Sequence, residues 1–214
     1  MILTPIDRDR LPAVLDLFQA GLGDSVARAV FCRIASPARV DRAAPRLASA
    51  HRRAAHRLLA GLGMGLRPGS PRQDFSWDGA CARGDTEAYV LLHEAAHFQL
   101  ASPARRRRID FGLGPGPETG QRNAAEAAAT VFGLAREREE AMASLLGILW
   151  EVELGQPALA SFLDQNWLEG AGRGSTLAHF SSVLAVLAGD GFLTAEGRPT
   201  PALRKTPDAP RRRS

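Results

Sequence analysis

Several things are scarce in this chain, and each shortage narrows what it can be. Two cysteines, Cys32 and Cys81, stand among 214 residues. That is too few for a disulfide framework, so a reducing cytoplasm is the expected setting. No apolar run reaches the roughly 18 residues that a membrane span needs, and Met1–Arg10 is too charged to read as a signal peptide. A soluble protein with no membrane partner is therefore expected. β-branched residues are few and strict apolar–polar alternation is absent, so strand signals are weak. Trp77, Trp150 and Trp167 are isolated from one another, which fits core or rim packing better than a stacking platform.

Lysine is almost missing as well: of 27 basic residues only Lys205 is one. Alanine, glycine and proline are abundant beside the arginines, a pattern that fits a GC-rich genome. Residues 1–72 carry 12 arginines against 5 acids, residues 73–195 carry 9 against 16, and residues 196–214 carry 6 basic residues against 2 acids. The front and tail are thus basic and the middle acidic. No aromatic residue interleaves the basic stretch Arg42–Arg72 and no nucleic-acid module is spelled there. A solvated arginine face is expected rather than specific nucleic-acid binding.

What remains is ordinary globular composition, 45% hydrophobic and 23% charged, enough for one domain with a sizeable core. Its periodicity is helical, so the expected fold is mainly α, or α+β with little strand. Leu11–Gln19 has helical spacing, and Asp24 can cap a second segment, Ser25–Ile34. Arg42–Leu62 reads as an amphipathic helix, followed by a glycine–proline loop to Pro71. Asp85 offers an N-cap for a helix running to about Ala101. Arg105–Ile109 reads as a helical turn or two, and Phe111–Gly120 as loop. A long helical stretch over Arg122–Leu154, with a possible break at Gly133, ends at Gly155-Gln-Pro157, where Pro157 suits the first position of the next helix. Ser175–Ala188 completes the pattern. The expected organisation is one metal-binding domain over 1–195 and a disordered basic tail over 196–214.

The chemistry-bearing motif is His93-Glu94-Ala95-Ala96-His97. Histidines four apart on a helix share a face, so both imidazoles can reach one ion, and Glu94 beside them can polarise a bound water or move protons. A metal site needs at least one more protein ligand. Carboxylates follow at Glu118, Glu126, Glu137, Glu139, Glu140, Glu151 and Glu153, of which Glu137 and Glu140 suit a helix packed against the motif helix. His179 lies on an apolar helical stretch and reads as a satisfied core or boundary histidine. Two histidines and a carboxylate serve zinc peptidases and non-haem iron oxygenases alike, and spacing does not choose between them.

The longer stretch from His93 to Gly112 resembles the signature of elongation factor P hydroxylases, approximately H-E-x-x-H-W-x-I-A-x-x-A-R-R-x-x-x-D-F-G. The shared residues are His93, Glu94, His97, Ala101, Ala104, Arg105, Arg106, Asp110, Phe111 and Gly112. Phe98 stands for the tryptophan and Leu100 for the isoleucine. Leu15–Phe18, Gly155-Gln-Pro157 and Leu168-Glu-Gly170 resemble further, less specific segments of that family. Arg42–Arg72 reads as a basic insertion relative to it, and the tail after Glu196 is unlike it.

The resemblance implies a zincin-like helical metalloprotein that hydroxylates the modified lysine of elongation factor P, with iron(II) and dioxygen as the expected cofactors. It implies His93 and His97 as ligands. Counting back from Gly155 puts the family's ligand glutamate on Glu140, with Glu137 in reserve. Glu94 would orient a ligand or move protons. Arg105 and Arg106, within the run Arg105–Arg108, would offer docking charge to an acidic protein substrate. Asp110 could pair with Arg105 or Arg106 and fix the loop at Gly112. The alternative is a zinc metallopeptidase of the H-E-x-x-H plus glutamate kind, in which Glu94 takes a proton from the attacking water.

Overall fold

The structure is a computed structural model that describes residues 6–38, 40–41, 44–69 and 74–207. Among the described residues the fold is mainly helical. Helices α1 (Leu11–Gly21), α2 (Ser25–Ala35) and α3 (Pro45–Gly61) precede strands β1 (Gly65–Arg67) and β2 (Cys81–Arg83). Helices α4 (Ala88–Leu100), α5 (Arg122–Ala127), α6 (Gly133–Glu153), α7 (Ala158–Asp164) and α8 (Gly174–Gly189) follow. None of these helices is long and apolar enough to cross a membrane. The chain divides into two compact units, Met1–Ala54 with Ser144–Thr200, and Ala55–Ala143 with Pro201–Ser214.

The first unit is built on helical periodicity. In α2 the buried residues Ala27, Val30, Phe31 and Ile34 repeat at one helical face, as do Phe180, Val183, Leu184 and Leu187 in α8. Asp24 caps α2 as its position suggests, accepting from the Ala27 N–H at 2.7 Å. The two faces meet around Phe18 of α1, whose ring lies 4.7 Å from Phe31 and 5.5 Å from Phe180. Phe162 of α7 closes the cluster at 5.8 Å from Phe180. Each fully buried phenyl ring contributes about 1.5–3 kcal/mol. His179 is exposed and stacks on Trp167 at 5.3 Å, a boundary histidine.

The second unit holds the only sheet among the described residues, a parallel pair in which Gly65 faces Cys81 and Arg67 faces Arg83. Strand β1 falls inside the expected glycine–proline loop. Three residues are too few to display an alternation, and the pairing is non-local, so the sequence carries no sign of it. Gly65 is needed for close approach, because a Cβ there would lie 2.6 Å from Cys81 Sγ and 2.8 Å from the Ala80 carbonyl oxygen. Helix α4 begins at Ala88 with Glu87 in the cap position rather than Asp85. Asp85 instead faces the buried Arg83 guanidinium at 3.2 Å.

The long stretch after Gly120 is two helices, with the break at Gly133 as expected and Pro157 one place ahead of α7. The expectation of a disordered tail from Glu196 does not hold for the described part. Arg204 N–H donates to the Gln99 carbonyl at 2.9 Å. Gln99 Nε2 donates to the Ala202 carbonyl at 2.9 Å, and Arg106 donates to the Arg204 carbonyl at 2.7 Å. Backbone hydrogen bonding to the end of α4 is what orders a segment whose composition looks unstructured. Residues 208–214 lie outside the described residues. So do Arg42, Ala43 and 70–72 of the basic stretch, most of whose remainder forms α3 and β1.

Between the motif helix and α5, Asp110, Phe111 and Gly112 run consecutively through the left-handed region, with φ of 41°, 53° and 71°. Two of these carry side chains and pay for the conformation locally, by about 1–2 kcal/mol each. At Gly112 there is no room for one, since a Cβ would lie 2.5 Å from Thr130 Oγ1. Gly112→Ala is expected to lower stability by about 1–3 kcal/mol, read from chemical denaturation; a variant as stable as the parent contradicts this account of the turn.

Candidate metal centre

Helix α4 is buried on every side from Ala95 to Leu100, which is why its apolar pattern shows no single face. His97 sits in this buried half at 4% exposure, and His93 lies one turn earlier. Their Nε2 atoms are 3.0 Å apart. From α6, Glu140 Oε2 lies 3.5 Å from His93 Nε2 and 3.3 Å from His97 Nε2. A triangle with these edges has a centre about 1.9 Å from each corner, so an ion at the usual distance of about 2.0–2.2 Å reaches all three. His93, His97 and Glu140 therefore fit a metal ion, as a borderline nitrogen–oxygen donor set. The inner ligand side chain is closed off at 5% exposure, whereas those of His93 at 27% and Glu140 at 41% face solvent.

Glu137 does not join them: it lies one turn earlier on α6 and is exposed. The other carboxylates considered are engaged elsewhere or outside the cluster; Glu118 pairs with Arg83 at 3.2 Å and Glu153 with Arg198 at 2.9 Å.

The left-handed turn places a ring beneath the site. Phe111 stacks on the His97 imidazole, centroids 5.8 Å apart at 25°, and also on Trp77 at 5.4 Å and 9°. Phe98 meets Trp77 edge-on at 5.4 Å. Asp110 holds this turn, but not through an arginine. Its Oδ1 accepts from the Trp77 N–H at 3.1 Å, its Oδ2 from the Thr119 hydroxyl at 2.6 Å, and its own N–H donates to the Trp77 carbonyl at 2.9 Å. Backbone and hydroxyl donors from the neighbouring loops satisfy the carboxylate first, so the expected pairing with Arg105 or Arg106 is replaced.

Arg105 and Arg106, expected as docking charges, are engaged with groups of the chain itself. Arg105 is 5% exposed; its Nε donates to the Phe111 carbonyl at 2.9 Å, and its two terminal nitrogens donate to Glu139 at 2.7 and 2.6 Å. A guanidinium buried this far needs a carboxylate beside it. Arg106 lies over the Phe98 ring at 5.2 Å and donates to the Phe98 carbonyl at 2.8 Å. Arg107 and Arg108 are the exposed pair of the run. Glu139, one of the downstream carboxylates considered as a ligand, is not in the ligand group and has its Oε1 4.0 Å from His97 Nδ1. The signal that points to it is Arg105 itself, a cation within the motif that must find an anion once the motif folds inward.

The charges are strongly coupled. Burial disfavours a charged His97, but the Glu140 and Glu139 carboxylates outweigh it and push the imidazole up to about 10. Burial and the neighbouring His97 charge move His93 down. Burial works against both acids, yet Glu139, facing His97 and bonded to Arg105, is held at about 2, and Glu140 falls well below the usual carboxylate range under the pull of His97 and then His93. Glu94, half-buried on the same helix, is pushed up to about 8 by burial, with Asp110, Glu140 and Glu118 adding to it and His97 opposing.

No family model, curated protein or solved structure matches the chain.

Two outcomes follow from this geometry. Glu140→Ala should weaken zinc or iron(II) binding by roughly 100-fold or more, while Glu137→Ala leaves it unchanged, both read by chelator competition. The metal-free protein should lose stability with rising pH. The folded pKa of His97, about 10, lies above the unfolded value of about 6.5. Its contribution is therefore complete below pH 6.5 and lost as pH climbs through 10. Glu94 acts with the same sign, so His97→Gln should reduce the slope of melting temperature between pH 6.5 and 9.5 rather than abolish it; an unchanged slope contradicts the assignment.

Proposed function

We propose that the chain is a non-haem iron oxygenase that hydroxylates a protein side chain, the modified lysine of elongation factor P. The observation that carries this reading is the donor set: two imidazoles from one helix and one carboxylate from another, with two of the three ligands facing solvent. Such a two-histidine, one-carboxylate triad leaves positions open for dioxygen. The resemblance of His93–Gly112 to the elongation factor P hydroxylase signature supplies the substrate.

An iron(II) ion held by His93, His97 and Glu140 would supply the activation of dioxygen. The chain's own groups do the rest. Phe111 and Trp77 wall the inner side of the site and keep water from the buried ligand. Glu94, whose carboxyl is pushed up by burial in the metal-free chain, stands beside His93 on the motif helix, where it can hold or move a proton. A C–H bond offers little to polarise, so selectivity rests on holding the substrate beside the metal. With Arg105 and Arg106 engaged internally, Arg107 and Arg108 are the cations of the run left to meet an acidic protein. A cytoplasmic setting fits a translation-factor substrate and the free thiols of Cys32 and Cys81.

A second reading, a zinc metallopeptidase, draws on the same donors and on Glu94, whose raised carboxyl lies in the range where a general base works. One experiment separates the two. Elongation factor P carrying its modified lysine is incubated with the iron(II)-loaded protein and excess ascorbate, a two-electron reductant that takes the second oxygen atom of dioxygen to water, in air and under nitrogen, and intact masses are compared. A gain of one oxygen atom in air alone, lost with Glu140→Ala, is the expected result. No gain from a metal-loaded protein contradicts the proposed substrate, and oxygen-independent peptide cleavage by the zinc form establishes the peptidase.

A further inference from the structure

We infer that Glu139, braced by Arg105, is a positioning residue that fixes the His97 ring from its Nδ1 edge and so presents Nε2 to the metal. The inference rests on the metal reading above and assigns a role to two residues outside the ligand set.

The imidazole of His97 has two nitrogens in different surroundings. Nε2 converges with His93 and Glu140. Nδ1 is buried and makes no hydrogen bond, a condition that folded interiors seldom leave without a reason. The anion that faces it is Glu139 Oε1 at 4.0 Å, an ion-pair distance longer than a hydrogen bond. Glu139 is not free to turn elsewhere. Both its oxygens accept from Arg105, at 2.7 and 2.6 Å, in the parallel two-bond geometry that fixes direction as well as distance. Arg105 is in turn fixed by its Nε bond to the Phe111 carbonyl at 2.9 Å. The ring of that same Phe111 covers the face of His97. One connected set of groups therefore defines both the plane of the imidazole and its edge.

The arrangement also explains why α6 carries adjacent glutamates at 139 and 140. Glu140 lies on the Nε2 side with the metal donors and Glu139 on the Nδ1 side with Arg105. Because Arg105 compensates its charge, Glu139 orients the ring without competing as a further ligand. Carboxylates that hold the far nitrogen of a ligand histidine typically change metal affinity by 10- to 100-fold when removed. A salt bridge that only stabilises the fold would leave affinity and ligand geometry alone.

The test uses the full chain. Zinc affinity is measured by chelator competition for the parent, Glu139→Gln and the exposed-face control Glu137→Gln, together with the visible spectrum of each cobalt(II) form and the melting temperature of each metal-free form. The expected result is a 10- to 100-fold loss of affinity and an altered cobalt(II) spectrum for Glu139→Gln, with Glu137→Gln like the parent. Unchanged affinity and spectrum overturn the inference, even if the melting temperature falls, because the pair is then structural alone. A parent protein that binds no metal overturns the metal reading and this inference with it. Should Glu139→Gln not fold, nitrogen–proton correlation NMR of the zinc-loaded parent decides. A slowly exchanging proton on His97 Nδ1 with Nε2 metal-bound is expected, and a ring bound through Nδ1, or with a freely exchanging Nδ1 proton, overturns the inference.

Discussion

The interaction on which the site depends is the buried two-bond bridge between Arg105 and Glu139. A guanidinium at 5% exposure cannot stay there unpaired, and removing one partner of such a pair costs about 3–5 kcal/mol. The bridge ties α6 to the segment that follows α4, in the same unit, at the residue next to Glu140. The buried bridge and the cluster of His93, His97 and Glu140 thus stand on neighbouring residues of the same helix.

The second constraint is the left-handed turn at Asp110–Gly112. A helix or strand there would carry Phe111 away from His97; three residues at positive φ turn it under the imidazole instead. The strain is offset by hydrogen bonds that Asp110 collects from Trp77 and Thr119. Trp77 is itself fixed by the donation of its indole N–H to the Arg106 carbonyl at 2.8 Å. Backbone strain, aromatic stacking and the bond that Arg105 Nε donates to its carbonyl all converge on one residue, Phe111. Electrostatics then completes the site, because two carboxylates around a buried imidazole create a place that favours positive charge.

Much of this was legible in the sequence. The helical faces of α2 and α8, the cap at Asp24, the break at Gly133 and the pairing of His93 with His97 all follow from spacing, a property that survives without knowing the neighbours. Glu140 came from counting along a resemblance and stands with the histidines in the structure. What was hidden depends on contacts distant in sequence. The parallel pairing of Gly65–Arg67 with Cys81–Arg83 leaves no mark in three residues. Arg105 and Arg106 looked like surface charge because nothing in a run of four arginines says which two fold inward. The role of Asp110 was legible but its partners were not, since Trp77 lies 33 residues away. The tail composition suggested disorder, while Gln99 on α4 offers it backbone partners.

The central claim is that His93, His97 and Glu140 hold one ion together. X-ray absorption of the protein loaded with one equivalent of zinc tests it most directly. The account predicts a nitrogen–oxygen first shell near 2.0–2.1 Å with outer-shell scattering from two imidazoles, reduced to one in His97→Ala. A first shell without imidazole scattering, or two imidazoles that persist in His97→Ala, would contradict it.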